Sequence, residues 1–218
     1  MINFKKDVSL CGTDIPFCVV TAEYPCDAPL CTDAFYALAE NEINRLKAEY
    51  CNYDRKAVWG ENPYFRFFRK FKKTYPVMLQ FESAVLKDRP FPHFNPVSEV
   101  AFLAEITTGV LSGCHDTNSI SGDVTLYLAD SREDFEGMHG TLHTYPDDFC
   151  ARDGEGIIFS LIAGTDRRTS AAENSRYVFY PLFGTPCLGE ETLRNAADRL
   201  VGYIKVLCPS AETETRFF

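Results

Sequence analysis

The chain has no run of about 18 apolar residues, which leaves it without a candidate membrane-spanning helix. Its start, MINFKKDVSLCGTDIPF, carries two lysines but no apolar core of about 7–15 residues, so no secretory leader is expected. No CxxC pair occurs among Cys11, Cys18, Cys26, Cys31, Cys51, Cys114, Cys150, Cys187 and Cys208. The odd number and the spacing signal neither a disulfide framework nor a zinc site, and the expectation is reduced thiols in a cytoplasmic protein. G-x-S-x-G, Walker and dinucleotide motifs are missing, as are internal repeats and low-complexity segments. Cations are in short supply: Lys and Arg number 22 against 31 Asp and Glu, a net charge of −9. That balance weighs against a general polyanion binder, whose affinity comes largely from neutralised phosphates.

What is present has globular proportions, with 218 residues, 45% hydrophobic and 24% charged. A chain of this size buries about 70% of its unfolded surface and needs no metal or disulfide to hold its core. Ile15–Thr21 is rich in β-formers and reads as a buried strand. After a turn at Pro25–Pro29, Thr32 can cap a helix running to about Tyr50, with an apolar stripe of Phe35, Leu38, Ala39, Ile43, Leu46 and Tyr50. In NPYFRFFRKFKKTYP, Tyr64, Phe67, Phe68, Phe71 and Tyr75 fall three or four apart. Arg66, Arg69, Lys70, Lys72 and Lys73 lie mostly off that face. With those five cations set aside, the rest of the chain carries −14. The stretch reads either as a phosphate-contacting surface or as an ordinary amphipathic helix with an aromatic core face and a solvated basic one.

Three prolines in Arg89–Pro96 make an irregular connector, and Asn95-Pro96 opens a helix that stops at Gly109. The pattern then turns to strands at Val124–Leu128, Ile157–Ile162 and Tyr177–Phe183, expected in a shared sheet region, with a turn at Asp153–Gly156. A last helix spans about Glu190–Leu207, and the final SAETETRFF is expected to be loose. Helices first, then strands, then one helix argue an α+β fold. The expected division is 1–62 (strand and helix), 63–185 (core), 186–208 (last helix) and 209–218 (tail). His139 and His143 flank Gly140 in a strand-like stretch, where residues four apart stand about 13 Å from each other, too far to share a metal. Cys114-His115-Asp116 looks like a triad string, but adjacent residues rarely converge on one point.

The stretch GCHDTNSISGDVTLYLA (Gly113–Ala129) resembles the G-x-x-D-x-x-x-I-x-G-D segment of the B3/4 domain, with Asp116, Ile120, Gly122 and Asp123 in register. This domain is the editing module of the phenylalanyl-tRNA synthetase β subunit, and it also occurs as free-standing proteins. NPVSEV (Asn95–Val100) is similar to the family's Asn-Pro helix start. The basic stretch and PVMLQFESAVL after it resemble a helix pair of the free-standing members. Glu133–Gly164 looks like the family's central hairpins, and RRTSAAENSRYVFYPLFG like its D-R-T loop and last strand, with Arg168 and Thr169 in register. The likeness runs from about Ile15 to Leu207 and rests on the order and spacing of its motifs.

The resemblance implies a single B3/4-like domain with mixed or antiparallel sheets flanked by helices. It implies an aminoacyl-tRNA deacylase acting in trans on a mischarged tRNA, not an aminoacylating enzyme. The alternative is a non-catalytic module that binds an amino-acid-like small molecule or RNA. An aminoacyl ester is activated, so a positioned water can suffice and no covalent nucleophile or cofactor is implied. The expected partners are a weakly bound tRNA, through Arg66, Arg69, Lys70, Lys72 and Lys73, and an amino-acid-like molecule, with no membrane and no metal. The pocket is expected between Asn95–Val100, Gly113–Asp123 and Thr165–Thr169. There His115 and Asp116 would orient a water or take an α-amino group. Asn95, Gly113, Cys114, Asp123, Thr165, Asp166, Arg167, Arg168 and Thr169 would bind substrate, the arginines meeting a carboxylate or phosphate. A structural alternative has Asp116 and Asp123 merely holding backbone N–H groups in turns. Where the family has a pocket His, a late Glu and paired polar residues, this chain has Gly113, Phe183 or Pro181, and Ala101 with Phe102, so the tyrosine-reading apparatus is not carried over.

Overall fold

A computed structural model describes residues 2–218. In chain order the elements are β1 (Phe4–Lys6), β2 (Phe17–Glu23), α1 (Thr32–Glu49), α2 (Arg55–Trp59), α3 (Pro63–Lys70), α4 (Pro76–Phe81), α5 (Pro96–Thr108), β3 (His115–Asp116), β4 (Val124–Leu128), β5 (Asp134–Gly137), β6 (Gly140–His143), β7 (Phe149–Arg152), β8 (Ile157–Ser160), β9 (Gly164–Thr165), β10 (Tyr177–Phe183), α6 (Glu190–Leu207) and β11 (Glu212–Phe217). A five-residue π-turn, Glu82–Leu86, continues α4.

Two sheets carry the fold. One has the order β1-β4-β7-β8-β9, with β1 parallel to β4 and the other pairs antiparallel. The other is antiparallel, β11-β2-β10-β3, and β5-β6 form a separate hairpin. The sheets meet through Phe17, Phe149, Phe159 and Phe183, whose ring centroids lie 4.7 to 6.2 Å apart. Aromatic pairs at such separations add specific attraction to the area they bury. Helix α6 packs behind β2, and α1 packs against α6 and α5.

The α+β class and the three long helices α1, α5 and α6 stand where periodicity puts them. The strands 124–128, 157–160 and 177–183 form as expected but do not share one sheet: β4 and β8 lie in the five-stranded sheet and β10 in the other. The 157–162 run leaves strand geometry after Ser160, where the chain turns toward β9.

Two expectations change more. Asn62 caps α3 by accepting from the N–H groups of Tyr64 and Phe65, but the helix ends at Lys70. Lys72 then takes a left-handed turn (φ 57°), and Pro76 starts a new helix. Tyr75 still reaches the same core, stacked on Tyr64 at 5.0 Å, so the spacing marks a shared destination and not one helix. The segment 209–218, expected to be loose, forms β11 along all of β2 from Glu212↔Glu23 to Phe217↔Cys18. Its composition is polar, but β2 is almost wholly buried and its free edge needs hydrogen-bond partners.

Candidate functional site

Helix α5 begins in a tight polar knot. The buried Glu99 carboxylate accepts from the backbone N–H of Phe94 (2.6 Å) and Asn95 (2.8 Å) and from the Tyr36 hydroxyl (2.9 Å). Asn95 Nδ2 donates to Ser98 Oγ and to the Ala171 carbonyl, while its buried Oδ1 has no partner. The other end of α5 stops on Gly109, whose left-handed φ of 68° a side chain would strain. The chain then turns back beneath the helix as Leu111–Cys114. Burial raises the Cys114 thiol to about 12, so it holds no thiolate at neutral pH.

His115 is fully buried on β3, its ring stacked on Phe179 at 4.8 Å and 8°. Its Nδ1 lies 2.8 Å from Thr169 Oγ1, and that hydroxyl donates to Asp166. With the threonine proton committed, Nδ1 must be the protonated nitrogen and Nε2 carries a lone pair with no partner. Burial depresses the imidazole to about 3, so the ring is neutral across the physiological range. Nε2 points toward Gly113: a Cβ there would stand 3.5 Å from Nε2, 3.4 Å from Pro181 and 3.6 Å from Thr165 Oγ1. Glycine keeps that space open.

The expected substrate residues divide. Asn95, Gly113–Asp116 and Thr165–Thr169 are stitched together: the Asp116 N–H donates to the Thr169 carbonyl, and Asn95 reaches Ala171 beyond it. Asp116 accepts from the Asn118 N–H (2.8 Å) and Ser175 Oγ (2.5 Å), so it closes a turn. Buried Asp166 accepts from the N–H groups of Arg168 and Thr169. The Arg168 guanidinium donates to the Ser119 carbonyl (2.6 Å) and Asp153 (2.8 Å) and lies 3.5 Å from Glu155. Arg167 is exposed. Asp123 stands apart, exposed and paired with Lys5 and Asn3, and the Lys5 pairing lowers its pKa. It holds side chains, not the backbone of a turn.

Next to this knot opens a cavity of about 250 Å³. Phe68 comes from α3 and Lys73 from the turn after it, Ser112 from the return after α5, Ser160 and Thr165 from either end of the β8–β9 turn, and Phe183 from the end of β10. Ser112 and Thr165 neighbour Gly113 and so connect the cavity wall to the His115 side. Two buried carboxyls stand behind it. Glu105, raised to about 8 by burial, accepts from Ser112 N and Oγ. Asp148, raised to about 6 by burial, accepts from Ser160 Oγ (2.5 Å) and the Ile162 N–H (3.2 Å).

Sequence reasoning missed Ser112, Ser160, Glu105 and Asp148. Glu105 had a signal, an acid inside the apolar α5 pattern; Asp148 had none. The five cations Arg66, Arg69, Lys70, Lys72 and Lys73 are exposed. Arg66 pairs with Glu61, and Arg69, Lys70 and Lys73 lie over the rings of Phe65, Phe67 and Tyr145. Among the described residues no group of three His, Cys, Asp or Glu is arranged to hold a metal, and no helix is long and apolar enough to cross a membrane.

The fold is thus an α+β unit of two packed sheets with a polar knot and a small cavity at the α5–β3 return. It is similar to that of an N-terminal fragment of the phenylalanyl-tRNA synthetase β-subunit from Pyrococcus horikoshii, with a TM-score of 0.50 at 10% identity over 97% of this chain. The chain spans half of that fragment. The likeness lies in the overall fold. No known family profile and no curated protein sequence matches the chain.

Proposed function

We propose that the protein binds the aminoacyl end of a tRNA and hydrolyses the ester of a wrongly attached amino acid. The observation that carries this reading is the double membership of Lys73, which belongs to the exposed cation run and also lines the 250 Å³ cavity. Terminal phosphates would meet the cations while the amino acid enters between Phe68, Phe183 and the hydroxyls of Ser112, Ser160 and Thr165. A water would do the attack, because the Cys114 thiol is held protonated. In this reading the free Nε2 of His115, which lies beside Gly113 and outside the cavity lining, would accept a hydrogen bond from a water that enters at Gly113. With a pKa depressed to about 3 it takes no proton at neutral pH, so orientation and not general-base catalysis is its part. Asp116 and Arg168 keep the loop in place. A cytoplasmic location, where thiols stay reduced, goes with this function.

A binding module without catalysis is the second reading, favoured by one observation: no acid or imidazole lines the cavity itself. A panel of mischarged tRNAs separates the two. Editing predicts faster release of at least one amino acid than in buffer alone. Release at the spontaneous rate for every pair, together with binding, leaves the module.

A further inference from the structure

Each of two serines in the cavity wall is held from behind by a buried carboxyl group. Ser160 Oγ donates to Asp148, which is wholly buried, and already accepts from the Ala163 N–H at 2.8 Å. Ser112 Oγ donates to buried Glu105. Both hydroxyl protons are thus committed to the carboxyls, and what each hydroxyl still has to offer is an oxygen lone pair. The wall offers acceptors backed by carboxyl groups, while Lys73, whose ammonium sits 5.4 Å from the Tyr145 ring centroid, supplies the cation at the side. We propose that Asp148 and Glu105 are positioning residues that, through Ser160 and Ser112, make the cavity selective for a ligand bearing an ammonium group. This rests on the cavity being the ligand site and adds what it selects: the free amino group of an amino acid or its ester, inward, with an anionic part toward Lys73.

Charge on the wall depends on pH. Asp148, raised to about 6, is ionised above that pH, and Glu105, raised to about 8, ionises later. Facing Asp148 are Cys150 on β7, which burial holds as a thiol, and Tyr127 on β4, also raised by burial, with Glu133 and Arg152 farther out. Tyr145 precedes it in the same loop. Tyr64 and Tyr75 face Glu105, and burial raises both. Tyr64, Tyr75, Tyr127 and the Cys150 thiol, all raised by burial, do not change charge between pH 5 and 8 in the direction that would mimic the carboxyls. The affinity for a permanent cation should therefore climb as pH rises through about 6 and again through about 8.

The test uses the intact chain and two probes of the same shape, 2-phenylethylammonium and 3-phenylpropionate, titrated by NMR near pH 5 and pH 7.5. The amine keeps its charge over that range, since an alkylammonium titrates near lysine's value of about 10.4. The amine is expected to bind about tenfold more tightly at the higher pH, as befits one added charge, and the acid to bind more weakly throughout. Asp148→Asn, which keeps an acceptor for Ser160, should abolish the step near pH 6, and Ser160→Ala should blunt it even if the Asn variant folds poorly. Equal binding of the two probes, amine binding without a pH step, or a step that survives in Asp148→Asn would overturn the proposal. Deacylation without amine preference overturns this inference alone; amine binding with the step but no deacylation overturns only the hydrolase reading.

Discussion

At the scale of single residues, burial sets the behaviour of the titrating groups. His115 is lowered to about 3 from an ordinary value near 6.5. Below about 6.5 the unfolded chain takes a proton that the folded one refuses, so this residue's share of stability is full above that pH and falls as pH drops toward 3, by about 1.4 kcal/mol per unit. His115→Gln should lose that slope in acid melts compared with the wild type, while Asp148 tilts both proteins the other way. Glu105, raised to about 8, has the opposite sign: from about 4.5 upward the unfolded chain releases a proton that the folded chain keeps, and stability declines. Glu105→Gln keeps the acceptor for Ser112 and should raise the melting temperature at pH 8, by the equivalent of a few kcal/mol, with little change at pH 4.5. Arg168 bridges three segments at one-third side-chain exposure. Arg168→Ala should therefore cost about 1–2 kcal/mol, whereas Asp123→Ala, in an exposed and solvent-screened pair, should change stability little. Denaturant melts of the two variants check the order. A larger loss at Asp123 would contradict the geometry.

At the scale of elements, β11 and the α3–α4 turn carry most of the departure from simple periodicity. β11 covers the outer edge of β2, and Phe218 closes on Phe4 and Phe17 at 5.7 and 5.9 Å. A chain ending at Ser210 should lose about 2–4 kcal/mol in urea melts and self-associate through the bared edge, seen as a concentration-dependent sedimentation coefficient. The turn after α3 does something different. By ending the helix at Lys70 it carries Lys73 to the cavity while Tyr64, Phe68 and Tyr75 stay in the core. Changing Arg66, Arg69, Lys70, Lys72 and Lys73 together to Ser should leave the melting temperature nearly unchanged, because all five are exposed, and should abolish tRNA binding in a filter assay. Binding that survives would place the RNA elsewhere.

At the scale of the whole molecule, a net charge of −9 opposes a polyanion and leaves only a local patch to receive it. Five cations can release few counterions, so the logarithm of tRNA affinity should fall with the logarithm of salt at a slope no steeper than about −4. A steeper slope in salt titrations would require phosphate contacts beyond this patch.

Much of the fold was legible along the chain. Helix stripes such as Leu193, Leu200 and Leu207 and apolar runs such as Tyr177–Phe183 record which face is buried, and that is a local property of spacing. The Asn95–Val100 helix start, the Gly113–Asp123 segment and the Thr165–Thr169 loop could be grouped because they are irregular, polar and Gly-marked amid apolar elements, yet Asp123 itself stands apart, paired with Lys5 and Asn3. Local spacing carries no information about which edge a strand will find. The pairing of a polar tail with β2, and the division of β8 and β10 between sheets, were decided only by tertiary structure, since edge hydrogen bonds form between backbones whatever their side chains. The cavity was decided there too. Ser112, Ser160, Glu105 and Asp148 are dispersed through the sequence, and their shifted protonation comes from burial, which exists only once the chain has closed around them.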